Sequence, residues 1–110
     1  MNNNKKIYRQ GDIILYQIEN LPPTNLKKIK NNNNKFVVAE SETTGHQHLL
    51  CCKKMKIFQD KNGNFYLDLK EKAQLTHPEH KVITILPSTY KVIREQEYDY
   101  FAEEIKKVDD

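Results

Sequence analysis

Lys54-Met-Lys-Ile-Phe58, then Asp60-Lys-Asn-Gly-Asn64, then Phe65-Tyr-Leu-Asp-Leu-Lys70 is the stretch that decides the fold class. In its last run Phe65, Leu67 and Leu69 alternate with Tyr66 and Asp68. A period of two is the mark of a strand that buries one face. Asn62-Gly63 between two such runs is the strongest short-range hairpin signal, because both residues accept the left-handed backbone of a tight turn.

The same pattern recurs on both sides of this hairpin. Asp12-Ile-Ile-Leu-Tyr-Gln-Ile-Glu19 is a β-branched run ended by Leu21-Pro22-Pro23, hence a strand and a turn. Lys27 to Lys30 reads as a short strand and Lys35-Phe-Val-Val-Ala-Glu40 as the next. Between them Asn31 to Asn34 has no means of packing and is expected to be a flexible loop tip. Thr43-Thr44-Gly45 is a turn, after which His46-Gln-His-Leu-Leu50 is extended. Lys81-Val-Ile-Thr-Ile-Leu86 is stopped by Pro87-Ser88, and Tyr90-Lys-Val-Ile-Arg94 follows directly, so these two runs are expected to form a second hairpin. Phe101, Ile105 and Val108, at spacings of four and three, predict a short helix in the C-terminal segment from Glu97 to Val108. Seven to eight short strands with regular turn signals argue a mostly β fold, a small antiparallel sandwich or barrel with that helix at its end.

At 110 residues the chain is expected to be a single domain spanning 1–110. Domains of this size gain from association, so a homodimer is plausible. No apolar run reaches the roughly 18 residues of a membrane span, and no apolar segment follows Met1 to Lys6 as in a signal peptide. No membrane association is expected, and the default compartment is the cytoplasm. Cys51 and Cys52 are adjacent, so on a strand they point to opposite faces and cannot easily bridge each other.

The net charge of +3 hides an asymmetry. Residues 1–96 hold 16 Lys or Arg against 9 Asp or Glu, a balance of +7; residues 97–110 hold 2 against 6, a balance of −4. A basic body favours an anionic ligand such as RNA, and the competing reading is a solvated lysine-rich surface. There is no Gly-rich phosphate loop and no Gly-x-Ser-x-Gly elbow.

All four histidines fall in two motifs, His46-x-His48 and His77-x-x-His80. On a strand His46 and His48 share a face, with Cα atoms roughly 6.5 Å apart. Pro78 places His77 in a loop or at a strand start, and His80 opens the Lys81–Leu86 run. If the motifs sit at neighbouring strand ends, four imidazoles converge.

Two chemistries fit such a cluster. The first is general acid–base catalysis on an RNA-type phosphodiester. One imidazole takes the proton of the 2′-hydroxyl and another protonates the leaving 5′-oxygen; an ordinary imidazole pKa lets both protonation states coexist near neutrality. A cation such as Arg9, Lys91 or Arg94 would stabilise charge on the phosphoryl oxygens, and no cofactor is required. The second is a cupin-like site for one divalent transition metal on His46, His48, His80 and Glu79, with Glu40 or Glu42 as other completing acids. The Gly-rich flanks of cupin motifs are missing. A non-enzymatic nucleotide binder or inhibitor remains a third possibility. Gly11 in Arg9-Gln10-Gly11-Asp12 allows a sharp turn that presents Arg9 and Asp12. Tyr98 and Tyr100 could stack on bases, or be half-buried strand aromatics.

Arg-Gln-Gly-Asp at 9–12, Thr-Gly-His-x-His at 44–48, His-x-Glu-His at 77–80, Leu86-Pro87, Tyr90-x-Val92 and Gln96-x-Tyr98 occur in this order. The set resembles a widespread group of small bacterial and phage-borne proteins over nearly the whole chain; Asn31 to Asn34 and Cys51-Cys52 are departures. That group is similar in size and distribution to ring nucleases that degrade cyclic oligoadenylate, the messenger of type III CRISPR antiviral defence. The resemblance implies metal-independent cleavage by a homodimer holding the ring across its two-fold axis.

Overall fold

The computed structural model describes residues 5–23, 25–41 and 43–95. Ten strands are present among them: β1 (Ile7–Gln10), β2 (Ile13–Ile18), β3 (Lys27–Ile29), β4 (Lys35–Glu40), β5 (Gln47–Cys51), β6 (Met55–Gln59), β7 (Phe65–Leu69), β8 (Ala73–His77), β9 (His80–Ile85) and β10 (Ser88–Arg94). They form a six-stranded sheet in the order β1-β2-β10-β7-β6-β3 and a four-stranded sheet in the order β4-β5-β8-β9. Every pairing is antiparallel. The mostly β, antiparallel sandwich expected from the sequence is thus the fold. The helix expected over Glu97 to Val108 lies outside the described residues.

The inward phases of the two sheets meet in one core. Leu15, Ile57 and Leu67 from the large sheet and Leu50, Leu75 and Ile85 from the small one are fully buried in a shared cluster. Each such side chain stabilises the fold by roughly 1.5–3 kcal/mol. Cys52 is buried in this cluster, while Cys51 is only half-buried; both are free thiols.

Two strands went unread in the sequence. β1 carries only Ile7 and Tyr8 before Arg9-Gln10, and β8 alternates just Ala73 and Leu75 inward. Neither is an apolar run; both are strands because a neighbour supplies the hydrogen bonds. The Asn-Gly hairpin is present, joining β6 to β7. Asp60 braces its turn by accepting the Asn62 and Asn64 N–H groups, each at 2.9 Å. The asparagine run is a tight turn: Asn32 and Lys35 exchange backbone hydrogen bonds, and Asn33 and Asn34 adopt φ of +49° and +64°. Asparagine tolerates that conformation, so what looked unstructured is the chemistry of a two-residue turn.

The second expected hairpin does not exist. β9 stays with β8 in the small sheet, and β10 crosses to the large sheet between β2 and β7. A short Pro-containing link between two apolar runs reads equally as a hairpin or as a corner where the chain changes sheets. Here two tyrosines hold the corner: Tyr8 Oη accepts the Leu86 N–H at 3.2 Å, and Tyr90 Oη donates to the Leu86 carbonyl at 2.6 Å. Among the described residues no helix is long and apolar enough to cross a membrane.

Candidate functional site

Lateral strand order in the small sheet assembles the histidines. β5 pairs with β8 through Leu50↔Leu75 and Leu49↔Thr76. Continuing that ladder brings His48 beside His77, with ring centroids 4.4 Å apart. β8 then turns through Pro78-Glu79 into β9, with His77 opposite His80 and their rings 4.6 Å apart. His77 is therefore the end of a strand and not a loop residue or a strand start. His46 sits just before β5, its ring 5.7 Å from that of His77. Both sequence motifs thus contribute to one cluster.

The cluster lines an open cleft of about 610 Å³ whose walls include Asp12, Glu40, Glu79 and Arg94. The β1–β2 turn forms one wall. Gly11 there has φ +60°, the left-handed value a two-residue hairpin needs at its first turn position. A Cβ on Gly11 would lie 2.9 Å from His80 Nε2, so the absence of a side chain makes room for the ring. Another wall is the turn that carries Ser41, Thr44 and His46. It is closed by the Ser41 N–H donating to the His46 carbonyl and the Gly45 N–H to that of Ser41, both at 2.9 Å.

The four rings differ in setting. His48 is buried, and its Nδ1 lies 2.9 Å from Gln10 Oε1 while Nε2 lies 3.6 Å from Asp12 Oδ1. Burial, then the neighbouring His77, hold its pKa below the ordinary 6.5; Asp12 opposes them and His80 adds to them. Desolvation and the charges of His80 and His46 likewise lower His77, against Glu79 and Asp12. Both are neutral at pH 7. His77 Nδ1 accepts the Glu79 N–H at 3.0 Å, so its own hydrogen sits on Nε2. His46 Nδ1 lies 2.9 Å from Glu79 Oε1, an acceptor that places a hydrogen on Nδ1 and orients the ring. His80 is exposed at the mouth.

Of the cations expected to line the site, Arg94 does so, 3.4 Å from Asp12 Oδ2. Arg9 instead pairs with Glu95 at 2.9 Å, and Lys91 lies 6.0 Å from the Tyr66 ring centroid; neither lines the cleft. Tyr98 and Glu42 lie outside the described residues. Glu40 lines the cleft and holds the Gln47 amide at 3.2 Å. Sequence reasoning passed over Gln10. Its signal was present: Gln10 shares the inward phase of β1 with Tyr8, and a polar group at an inward position needs buried partners. Among the described residues no three His, Cys, Asp or Glu side chains are arranged to hold a metal ion.

No curated protein and no solved structure matches the chain. A family model described as a domain of unknown function, DUF8820, matches residues 9–95, a span that includes every cleft residue named above. The chain belongs to the DUF8820 family.

Proposed function

We propose that the protein is a metal-independent phosphodiesterase acting on RNA-type linkages, with cyclic oligoadenylate as a substrate suggested by the motif resemblance. The observation that carries this reading is the convergence of four imidazoles in one open cleft beside Arg94, with His48 and His77 held below the ordinary imidazole pKa.

His48 is suited to be the base, because it is neutral at pH 7 and its Nε2 looks toward the cleft wall at Asp12. His46 is suited to be the acid, because the Glu79 carboxylate fixes its ring through Nδ1 and leaves Nε2 for the leaving oxygen. The 2′-hydroxyl loses its proton to His48 as its oxygen bonds to phosphorus. The bond from phosphorus to the 5′-oxygen breaks, and that oxygen takes a proton from His46. The products are a 2′,3′-cyclic phosphate and a 5′-hydroxyl. The neutral His77 donates through Nε2, and the Arg94 guanidinium stabilises charge on the non-bridging oxygens. Glu79 and Asp12 are engaged by His46 and Arg94, which tempers the repulsion of an anionic ligand. A homodimer would let two such clefts face one ring.

Labelled cyclic oligoadenylate and short RNA, incubated with the protein in EDTA, test the reading. Turnover that falls about 10²–10⁴-fold in His48→Ala and in His46→Ala is the expected result. No turnover of either substrate at micromolar enzyme overturns it, and tight binding without turnover would make the protein a sensor or inhibitor.

One observation favours a second reading, a site for one divalent transition metal. The Glu79 carboxylate on His46 Nδ1 is the backing that metal-ligating imidazoles commonly have. In that role Glu79 supports His46 rather than serving as a ligand itself. Elemental analysis of untagged protein separates the two: about one equivalent of Zn, Fe, Ni or Mn, lost in His46→Ala/His48→Ala, would favour the metal.

A further inference from the structure

Gln10 is a polar side chain at 2% exposure in a chain whose other core residues are almost all apolar. Its amide is fully engaged. Nε2 donates to the carbonyls of Leu75 on β8 and Lys81 on β9, both at 2.9 Å, and Oε1 faces His48 Nδ1 at 2.9 Å. Carbonyl oxygens only accept, so the nitrogen end of the amide must face them. Turning the amide over would aim its oxygen at two other oxygens. The oxygen end, so fixed, can only accept, and His48 Nδ1 must carry a hydrogen. In the neutral ring the lone pair is then on Nε2.

We propose that Gln10 is a positioning residue that acts through His48: anchored on the backbone of β8 and β9, it holds the neutral ring in its Nδ1–H tautomer and presents the Nε2 lone pair to the cleft. Its functional meaning rests on His48 being the base, but the tautomer itself does not.

The need for such an anchor is visible in what stands on the other side of the ring. Asp12 Oδ1 lies 3.6 Å from His48 Nε2, and a carboxylate there attracts a hydrogen onto that nitrogen. With no acceptor at Nδ1, the neutral ring would turn its N–H toward Asp12 and offer the cleft a donor where a base must have a lone pair. Gln10 and Asp12 therefore compete for one hydrogen, and Gln10 has the shorter contact, 2.9 Å against 3.6 Å. Because β1 belongs to the large sheet and β8 and β9 to the small one, the same amide ties the His48 proton to the seating of one sheet on the other.

The alternative is that Gln10 only braces the sheets. Two substitutions tell these roles apart. Gln10→Glu keeps an oxygen for the Nδ1 hydrogen but loses both donors to the backbone; Gln10→Leu loses all three bonds. A mere brace is damaged by both, and more by Gln10→Glu, whose second oxygen would face the two carbonyl oxygens. Ring-nitrogen NMR at mildly alkaline pH, where imidazoles are neutral, reads the tautomer directly. The expected result is Nδ1–H on His48 in the wild type and in Gln10→Glu, and a change toward Nε2–H in Gln10→Leu. On a substrate that the wild type turns over, kcat should fall at least about tenfold further in Gln10→Leu than in Gln10→Glu, with KM little changed. If Gln10→Leu does not fold, Gln10→Met, of nearly the native shape, takes its place. An Nε2–H tautomer in the wild type, or the same tautomer in both variants, overturns the proposal. The NMR result stands even if no substrate is ever cleaved, so failure of the phosphodiesterase reading and failure of this one are separable.

Discussion

His48 and His77 face each other from adjacent strands with ring centroids 4.4 Å apart and planes tilted by 37°. Two imidazoles this close cannot both be protonated without strong mutual repulsion. Each therefore holds the other's protonated form down or is held down by its neighbours, and both pKa values lie below the ordinary 6.5.

The first prediction concerns this pair. Replacing His77 by Ala removes a like charge that holds the His48 pKa down, so the His48 value should rise toward 6.5. An NMR titration of the ring protons measures it; an unchanged or lower value would show that burial acts alone. The same shifts govern stability. Both folded-state values lie below the unfolded 6.5, so the folded chain binds fewer protons than the unfolded one in the window just below it. This contribution is full above pH 6.5 and is lost as the pH falls through the folded values. Denaturant unfolding at a series of pH values should show that decline, and show it smaller in His48→Gln/His77→Gln.

Gly11 and Gly45 make a controlled comparison. Both have positive φ, +60° and +74°, so Ala at either costs roughly 1–2 kcal/mol of backbone strain. Only at Gly11 does the new Cβ meet a ring, 2.9 Å from His80 Nε2, whereas at Gly45 it meets nothing within 4 Å. Gly11→Ala should lower the melting temperature more than Gly45→Ala and displace the His80 resonances. Equal effects of the two would mean that the turn, and not room for His80, is what Gly11 supplies.

Asp12→Asn should leave stability within about 1 kcal/mol, because its pairing with Arg94 is exposed and surface ion pairs are weak. Its effect is on His48. Asp12 raises the His48 pKa, so its loss should lower that pKa further and move the acidic limb of any pH–rate profile to lower pH. A limb displaced upward would contradict the assignment of His48 as the base.

Tyr90→Phe probes the corner away from the chemistry. It deletes the 2.6 Å hydrogen bond to the half-buried Leu86 carbonyl and should cost about 0.5–1.5 kcal/mol, the usual net worth of such a bond. Turnover per folded molecule should not change. Lost turnover with an intact fold would mean that the corner, through Tyr8 and β1, controls the cleft.

Much of this was legible in the sequence because β physics is local where strands alternate. Phe65, Leu67 and Leu69 declare their inward face, and Asn62-Gly63 declares the turn. β1 and β8 were not legible, because a strand with one or two inward apolar residues owes its existence to partners elsewhere in the chain. The link through Pro87 was misread as a hairpin for a similar reason: the sheet-changing corner is held by Tyr8 and Tyr90 through the Leu86 backbone, and Tyr8 is far from it in the chain.

The amino-acid sequence by itself determined that the chain is antiparallel β and that its reactive side chains come as two histidine pairs, since alternation and turn chemistry are written in neighbouring residues. Tertiary structure alone decided that the pairs meet, that Arg94 joins them while Arg9 and Lys91 do not, and that Gln10 reaches His48. Those outcomes depend on lateral strand order and register, which are set by how two sheets share one core, and no short window of residues encodes that.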